Sequence, residues 1–316
     1  MRVATIQRAG RRPRVRGIVL RTLACLAVIG TAAGSNQATL ADGGRPVGNR
    51  SALADWRLMW SDDFAGPART LPSSGNWIFD LGRSYPGEQP GWGTGEIETY
   101  TKDLRNISLD GAGNLVLTAT RDAAGQWRSA RIETRRADFQ PPSGGSLKIE
   151  ARIQLPDGGQ GYWPAFWALG APFRQRHVWP GAGEIDAMEN VDNQPEVHGT
   201  LHCGTVASGG PCHEDTGLTG TYPLPGPAGT VGFHTYAVVW SSNPRQLSWL
   251  VDGRPYWTVT PAMTGEATWA ATFGHGYFLL LNLAIGGGWP GNPDASTRPD
   301  QSMLVDYLAV YRSGTG

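Results

Sequence analysis

The stretch WPGAGEIDAMEN, from Trp179 to Asn190, places three carboxylates, Glu184, Asp186 and Glu189, within six positions. Two readings compete for it. As a helix, Ile185, Met188 and Val191 recur at three-residue intervals on one buried face, and the acids decorate the solvent side. As a strand, Glu184 and Asp186 share a face, but Glu189, an odd number of residues from Glu184, points the other way. One extra residue, a β-bulge at Ala187 or Met188, returns Glu189 to the acidic face. The fold class turns on which reading holds.

The flanking sequence favours the strand. From Trp56 onward, short runs of β-branched and aromatic residues alternate with Gly, Pro, Asn and Asp. The clearest strands are Leu115 to Ala119, Leu147 to Ile153, Thr235 to Trp240, Leu247 to Val251, Tyr277 to Leu283 and Leu304 to Tyr311, with Asp252 and Gly253 marking a hairpin turn. In the second of these, Leu147, Ile149, Ala151 and Ile153 alternate with Lys148, Glu150 and Arg152, so one face meets a core and the other meets water. Many half-buried antiparallel strands without intervening helices predict an all-β fold of two sheets packed face to face, a sandwich or jelly roll. No period of about 20 to 50 residues recurs, which disfavours solenoids and propellers.

Residues 1–41 stand apart from this pattern. They hold seven arginines, from Arg2 to Arg21, and no acid, followed by the apolar run Leu23 to Ile29 and small residues up to Ala41. This predicts a cleaved signal peptide and a secreted, extracellular protein without a membrane anchor, since a spanning helix needs roughly 20 apolar residues. Residues 42–54 are rich in Gly, Ala, Asn and Arg without periodicity and read as a disordered lead-in, leaving 55–316 as a single domain. Of 27 basic residues, removing the seven in the leader leaves 20 against 27 acids, a net charge near minus seven. Such a chain is a poor partner for nucleic acid or anionic membranes and a good one for an uncharged polymer. With Cys25 in the leader, Cys203 and Cys212 remain, nine residues apart, and an oxidising destination predicts a loop-closing disulfide.

The acidic trio suits glycoside hydrolysis. A bulged span from 184 to 189 advances four pleat positions, about 13 Å between Cα atoms at roughly 3.3 Å per residue. If each glutamate leans about 4 Å toward the other, the carboxyls approach the 5 to 5.5 Å of a retaining glycosidase, while the 6.5 to 9.5 Å of an inverting one is also within reach. Spacing alone leaves both outcomes open.

The sequence resembles the laminarinases, or β-1,3-glucanases, of glycoside hydrolase family 16. The resemblance runs through WSDDF at 60–64, GWGTGEIETYT at 91–101, EARIQLP at 150–156, YWPAFWALG at 162–170, GEIDAMEN at 183–190, VHGTLHC at 197–203, LNLAIGGGWPG at 281–291 and VDYLAVYR at 305–312. It implies a curved, concanavalin-like β-jelly roll with a cleft on the concave face and hydrolysis by double displacement with retention. By position within EIDAME, Glu184 is then the nucleophile, Glu189 the general acid and base, and Asp186 the residue that positions the nucleophile. Three carboxylates this close cannot all ionise at ordinary values, so the acid's pKa should rise while the nucleophile stays charged.

Around the trio, Trp163 and Trp167 share parity, Trp179 sits five residues before Glu184, and Trp289 precedes Pro-Gly in a loop. Indoles stack well on sugar faces, so all four are candidate substrate contacts, with core filling as the competing reading. His198, Thr200 and His202 alternate along a neighbouring strand. Two histidines without a third convergent ligand make a weak zinc site, and the resemblance offers His198 as a neighbour of substrate or of the acid/base. Arg131 and Arg135 are candidates to reach sugar hydroxyls. No catalytic cofactor is expected. The resemblance implies a structural calcium held by Asp63, Asp306 and the backbone near Gly113, where oxygen donors suit a hard cation.

One departure is the pair Thr94 and Gly95, where laminarinases often carry asparagines; it bears on subsites and so on linkage more than on the reaction. The leading reading is a monomeric endo-hydrolase of β-1,3-glucan, with mixed-linkage β-1,3-1,4-glucan as a second substrate. A galactan hydrolase of the same family, acting on agar or carrageenan, is the alternative, although Lys102 and Lys148 as the only lysines suit a sulfated polymer poorly. A non-catalytic β-glucan-binding lectin is the other, and the intact trio speaks against it.

Overall fold

The computed structural model describes residues 56–206 and 208–314; the signal peptide and lead-in expected over 1–54 lie outside them. The strands begin with β1 (Arg57–Asp62), β2 (Trp77–Asp80), β3 (Thr99–Tyr100), β4 (Ile107–Leu109), β5 (Leu115–Arg121) and β6 (Trp127–Ser129). There follow β7 (Arg131–Thr134), β8 (Ser146–Gln154), β9 (Tyr162–Gly170), β10 (Glu184–Glu189), β11 (Glu196–His202) and β12 (Leu218–Pro223). The last are β13 (Phe233–Ser242), β14 (Arg245–Val251), β15 (Arg254–Val259), β16 (Tyr277–Ile285) and β17 (Gln301–Ser313). Each of the six expected strands falls within one of these.

Two sheets result. The larger has ten strands, ordered β15-β14-β13-β8-β17-β5-β6-β3, with β1 added beside β17 and β4 beside β5. The smaller has seven, ordered β12-β11-β10-β9-β16-β7-β2. Pairing is antiparallel except between β3 and β6. This is the predicted all-β jelly roll of two open sheets.

The core lies between them. From the larger sheet come Leu117, Leu147, Ile149, Ile153, Val238, Trp249, Val305 and Val310, and from the smaller Phe166, Ile185, Met188, Val197, Leu201, Leu279, Leu281 and Leu283, in one contiguous cluster. Strand β8 alternates as its sequence dictates, with Lys148, Glu150 and Arg152 on the outer face. Strand β16 differs: all nine residues of YFLLLNLAI are buried. Its odd-numbered leucines face the core, whereas Phe278 and Leu280 join Leu169 in a second apolar cluster, against which Trp167 and Phe173 pack. A strand covered on both faces reads as a continuous apolar run. At the β14–β15 hairpin, Asp252 and Gly253 both take positive φ, 49° and 73°, as a two-residue turn of the mirror-image type requires.

Candidate active site

Strand β10 carries the irregularity that its alternation demands. Against β9, Asp186 pairs with Trp167 and Met188 with Phe166, so Ala187 is the extra residue. Against β11, Glu184 faces His202, Asp186 faces Thr200 and Glu189 faces His198, with the register shift between Asp186 and Glu189. The bulge puts all three carboxylates on the face away from the core, while Ile185 and Met188 enter it. The Trp249 indole N–H of β14 reaches across the core to the Asp186 carbonyl at 2.7 Å, tying the larger sheet to the bulged strand.

All three carboxylates are largely shielded from water. Burial is the main force raising each pKa, because it penalises the charged form. For Asp186 the fields of Glu189, Glu184 and Glu214 add to burial, pushing its carboxyl well above the usual range; its Oδ2 has no hydrogen-bond partner. Glu189 is pushed up to about 7 by burial, against the pull of His202 and of the Trp163 indole, whose N–H donates to Glu189 Oε1 at 2.9 Å. Glu184 is raised by burial but opposed by two cations, His202 and Arg131, and by the Trp179 indole. One strand thus holds an acid pushed well above the carboxylate range, an acid raised to about 7 and an acid flanked by positive charge.

The predicted neighbours divide. His202 lies 3.4 Å from Asp186 Oδ2 and 3.9 Å from Glu184 Oε1, with the Trp179 ring 5.3 Å away. Trp289, 45% exposed, stands edge-on to Trp163 at 5.7 Å and to His198 at 4.9 Å, forming an aromatic wall beside Glu189. Trp167 is on the same face, its N–H donating to Asn282 Oδ1 at 2.7 Å.

Arg135 does not belong to this group. Strand β7 ends at Thr134, and the Arg135 guanidinium turns to the Ser74 carbonyl. The inner arginine is Arg131, fixed to Asp80 at 3.0 Å and lying over the rings of Trp92 at 4.5 Å and Trp167 at 4.8 Å.

Several polar residues here were not singled out from sequence. Glu96 accepts hydrogen bonds from Thr94 at 2.8 Å and Tyr100 at 2.7 Å, and Tyr100 also accepts from Asn282. Glu133, pushed up to about 7 by burial and by Asp80, receives Arg174 at 2.9 Å. Glu214 joins from the disulfide loop and contacts His202. For Glu96 and Glu133 the sequence signal was only parity, as in GEIETY and RIET.

Cys203 and Cys212 are bridged, as expected. Ligand atoms of Glu184, Asp186 and His202 lie within 4.8 Å of one another. With Glu214 on Nδ1 and acids beyond Nε2, His202 is driven toward the imidazolium, which has no lone pair for a metal. The expected calcium ligands fit that ion poorly. The Asp63 carbonyl does approach Gly113, but the Asp306 carboxylate is taken by Arg152 at 2.7 Å, and the Asp63 carboxylate accepts the Ala65 N–H at 3.2 Å. No helix among the described residues is long and apolar enough to cross a membrane.

Comparison with known proteins agrees with this geometry. Residues 103–220 match the family description "XgeA-like, catalytic GH16 domain". A β-glucanase of Rhodothermus marinus is 34% identical over 81% of this chain and 85% of its own length. Among solved structures, an endo-1,3-β-glucanase from Streptomyces sioyaensis is 45% identical with a TM-score of 0.79, covering 87% of this chain and all of that one. An endo-β-1,3-glucanase from Pyrococcus furiosus is 38% identical with a TM-score of 0.69, covering 83% of this chain and 96% of that one. Relatives 34 to 45% identical that cover 81 to 87% of this chain, together with the matched catalytic-domain description, place the protein in glycoside hydrolase family 16, and it is a glycoside hydrolase.

Proposed function

We propose that this chain is a secreted, retaining endo-hydrolase of β-1,3-glucan. The observation that carries the reading is the bulge at Ala187, which returns Glu189 to the face of Glu184 and Asp186 and sets it under the Trp163 N–H. The Rhodothermus, Streptomyces and Pyrococcus relatives, all named as glucanases, support the substrate class.

In this mechanism Glu184, flanked by His202 and Arg131 and therefore the most readily ionised of the three, attacks the anomeric carbon. Glu189, protonated below about 7, gives its proton to the departing glycosidic oxygen. The C–O bond breaks as the glycosyl ester to Glu184 forms. Glu189, now a carboxylate, takes a proton from water, which attacks the same carbon and releases Glu184, so two inversions give net retention. Asp186, its carboxyl raised well above the usual range by burial and by the neighbouring acids, lies beside Glu184 and is placed to steady that carboxylate as it leaves. The acids of the chain suffice, without a catalytic cofactor. Trp163 and Trp289 offer an indole wall for sugar faces next to Glu189.

Incubation with laminarin, lichenan, agarose and carrageenan, followed by product sizing, tests the assignment. Short glucan oligosaccharides from laminarin are expected. Release of glucose alone contradicts endo-cleavage, and cleavage confined to agarose or carrageenan reassigns the enzyme to galactans. A monomer is proposed, checked by light scattering. Calcium binding at Asp306 has to displace Arg152, and the reaction is proposed to need none.

A further inference from the structure

Just beyond the loop closed by the Cys203–Cys212 bridge, one side chain reaches the histidine that faces the catalytic strand. Glu214 has a fully buried carboxylate. Its Oε1 accepts the Cys203 backbone N–H at 3.0 Å, and its Oε2 meets His202 Nδ1 at 2.6 Å. Both oxygens are therefore fixed, one by the residue that anchors the bridge and one by the imidazole. On its other side, His202 Nε2 faces Asp186 and Glu184. An acid, a histidine and two of the catalytic carboxylates are thus aligned.

We infer that Glu214 is a positioning residue for the reaction: it holds His202 as a correctly turned cation against Glu184 and Asp186, so that the nucleophile stays ionised. This rests on the glycosidase reading of Glu184 given above. The groups facing His202 are Glu184, Asp186 and Glu189 of β10 and Glu214 of the loop, while the neighbouring Trp179 segment brings an indole and Gly217 brings no side chain. Burial works against the imidazolium, but the Glu214 hydrogen bond and the fields of Glu184, Glu214 and Glu189 outweigh it and raise the pKa above its ordinary 6.5. His202 in turn lowers Glu184 by more than the direct field of Glu214 raises it. Replacing Glu214 by a neutral amide must then let His202 lose its proton at lower pH, and Glu184, deprived of its cation, must hold its own proton to higher pH.

The test is an NMR titration of the His202 ring in histidine-labelled wild type and Glu214→Gln, with kcat/KM on laminarin measured across the same pH range. We expect a wild-type midpoint above 6.5. In the variant the midpoint falls by about one pH unit, and the acidic limb of kcat/KM moves up by about half a unit. A loss of packing alone lowers the rate without moving either midpoint, and an unchanged His202 titration overturns the inference. Should the variant not fold, the wild-type spectrum decides by itself: a ring protonated on both nitrogens above pH 6.5 supports the role, and a neutral ring there refutes it. If wild type leaves laminarin intact, the glucanase reading fails instead, while the titration still reports on Glu214 and His202.

Discussion

Strand β8 carries one acid in alternation with apolar residues and β10 carries three, and the two strands use them in opposite ways. In β8, Glu150 sits on the outer face, where Lys148 and Tyr307 satisfy its oxygens at 2.8 and 2.9 Å. In β10, Glu184, Asp186 and Glu189 crowd one face with their burial only partly offset by His202 and Arg131. An acid on a strand's outer face is not by itself a site. What distinguishes it is charge held where neither water nor enough cations relieve it, and a bulge that gathers this charge on one face.

The comparison breaks most sharply at Glu184. Glu184→Gln is expected to lower kcat on laminarin by about 10⁴-fold or more, whereas Glu150→Gln leaves kcat and KM unchanged; loss of activity in the β8 variant would erase the distinction.

Glu189→Gln is expected to slow turnover by about 10²- to 10⁴-fold while making the protein more stable. The sign follows from linkage: the folded pKa, about 7, lies above the usual 4.5, so ionising the buried group costs stability as pH rises through this window and costs nothing below it. Denaturant titrations should show a gain on the order of 2 kcal/mol at pH 8, absent at pH 4. Glu150→Gln should instead lose under about 1 kcal/mol at pH 8.

A smaller effect sharpens the same contrast. Trp163→Phe removes the N–H that favours ionised Glu189, so the general acid keeps its proton to higher pH and the alkaline limb of kcat moves up by about half a unit. A downward shift would show that the indole acts otherwise. Smallest of all is the response to calcium. With Asp306 already paired to Arg152, millimolar calcium or a chelator should leave Tm in place, and a rise of several degrees on adding calcium would mean that the ion displaces the arginine.

Much of this was legible in the sequence because strand period is rigid. LKIEARI could face only one core, and EIDAME could gather its acids only through a bulge. The short strands β3, β4 and β6 carry two or three residues each, too few for a period to register. Arg131 and Arg135 share parity, but β7 stops before the second, so alternation named two arginines where one is held inside. Glu214 was beyond reach for another reason. Its role depends on a loop folded back by a disulfide onto a strand twelve residues earlier in sequence at His202, and the CHED run around it has no periodicity.

The roles on β10 are tested most directly by azide rescue of Glu184→Ala and Glu189→Ala with an activated aryl β-laminaribioside, reading the anomeric configuration of the glycosyl azide. The account predicts the α-azide from the Glu184 variant, where azide replaces the missing nucleophile in a single inversion, and the β-azide from the Glu189 variant, where it attacks the ester to Glu184. The reverse pattern, or the same anomer from both, would contradict it.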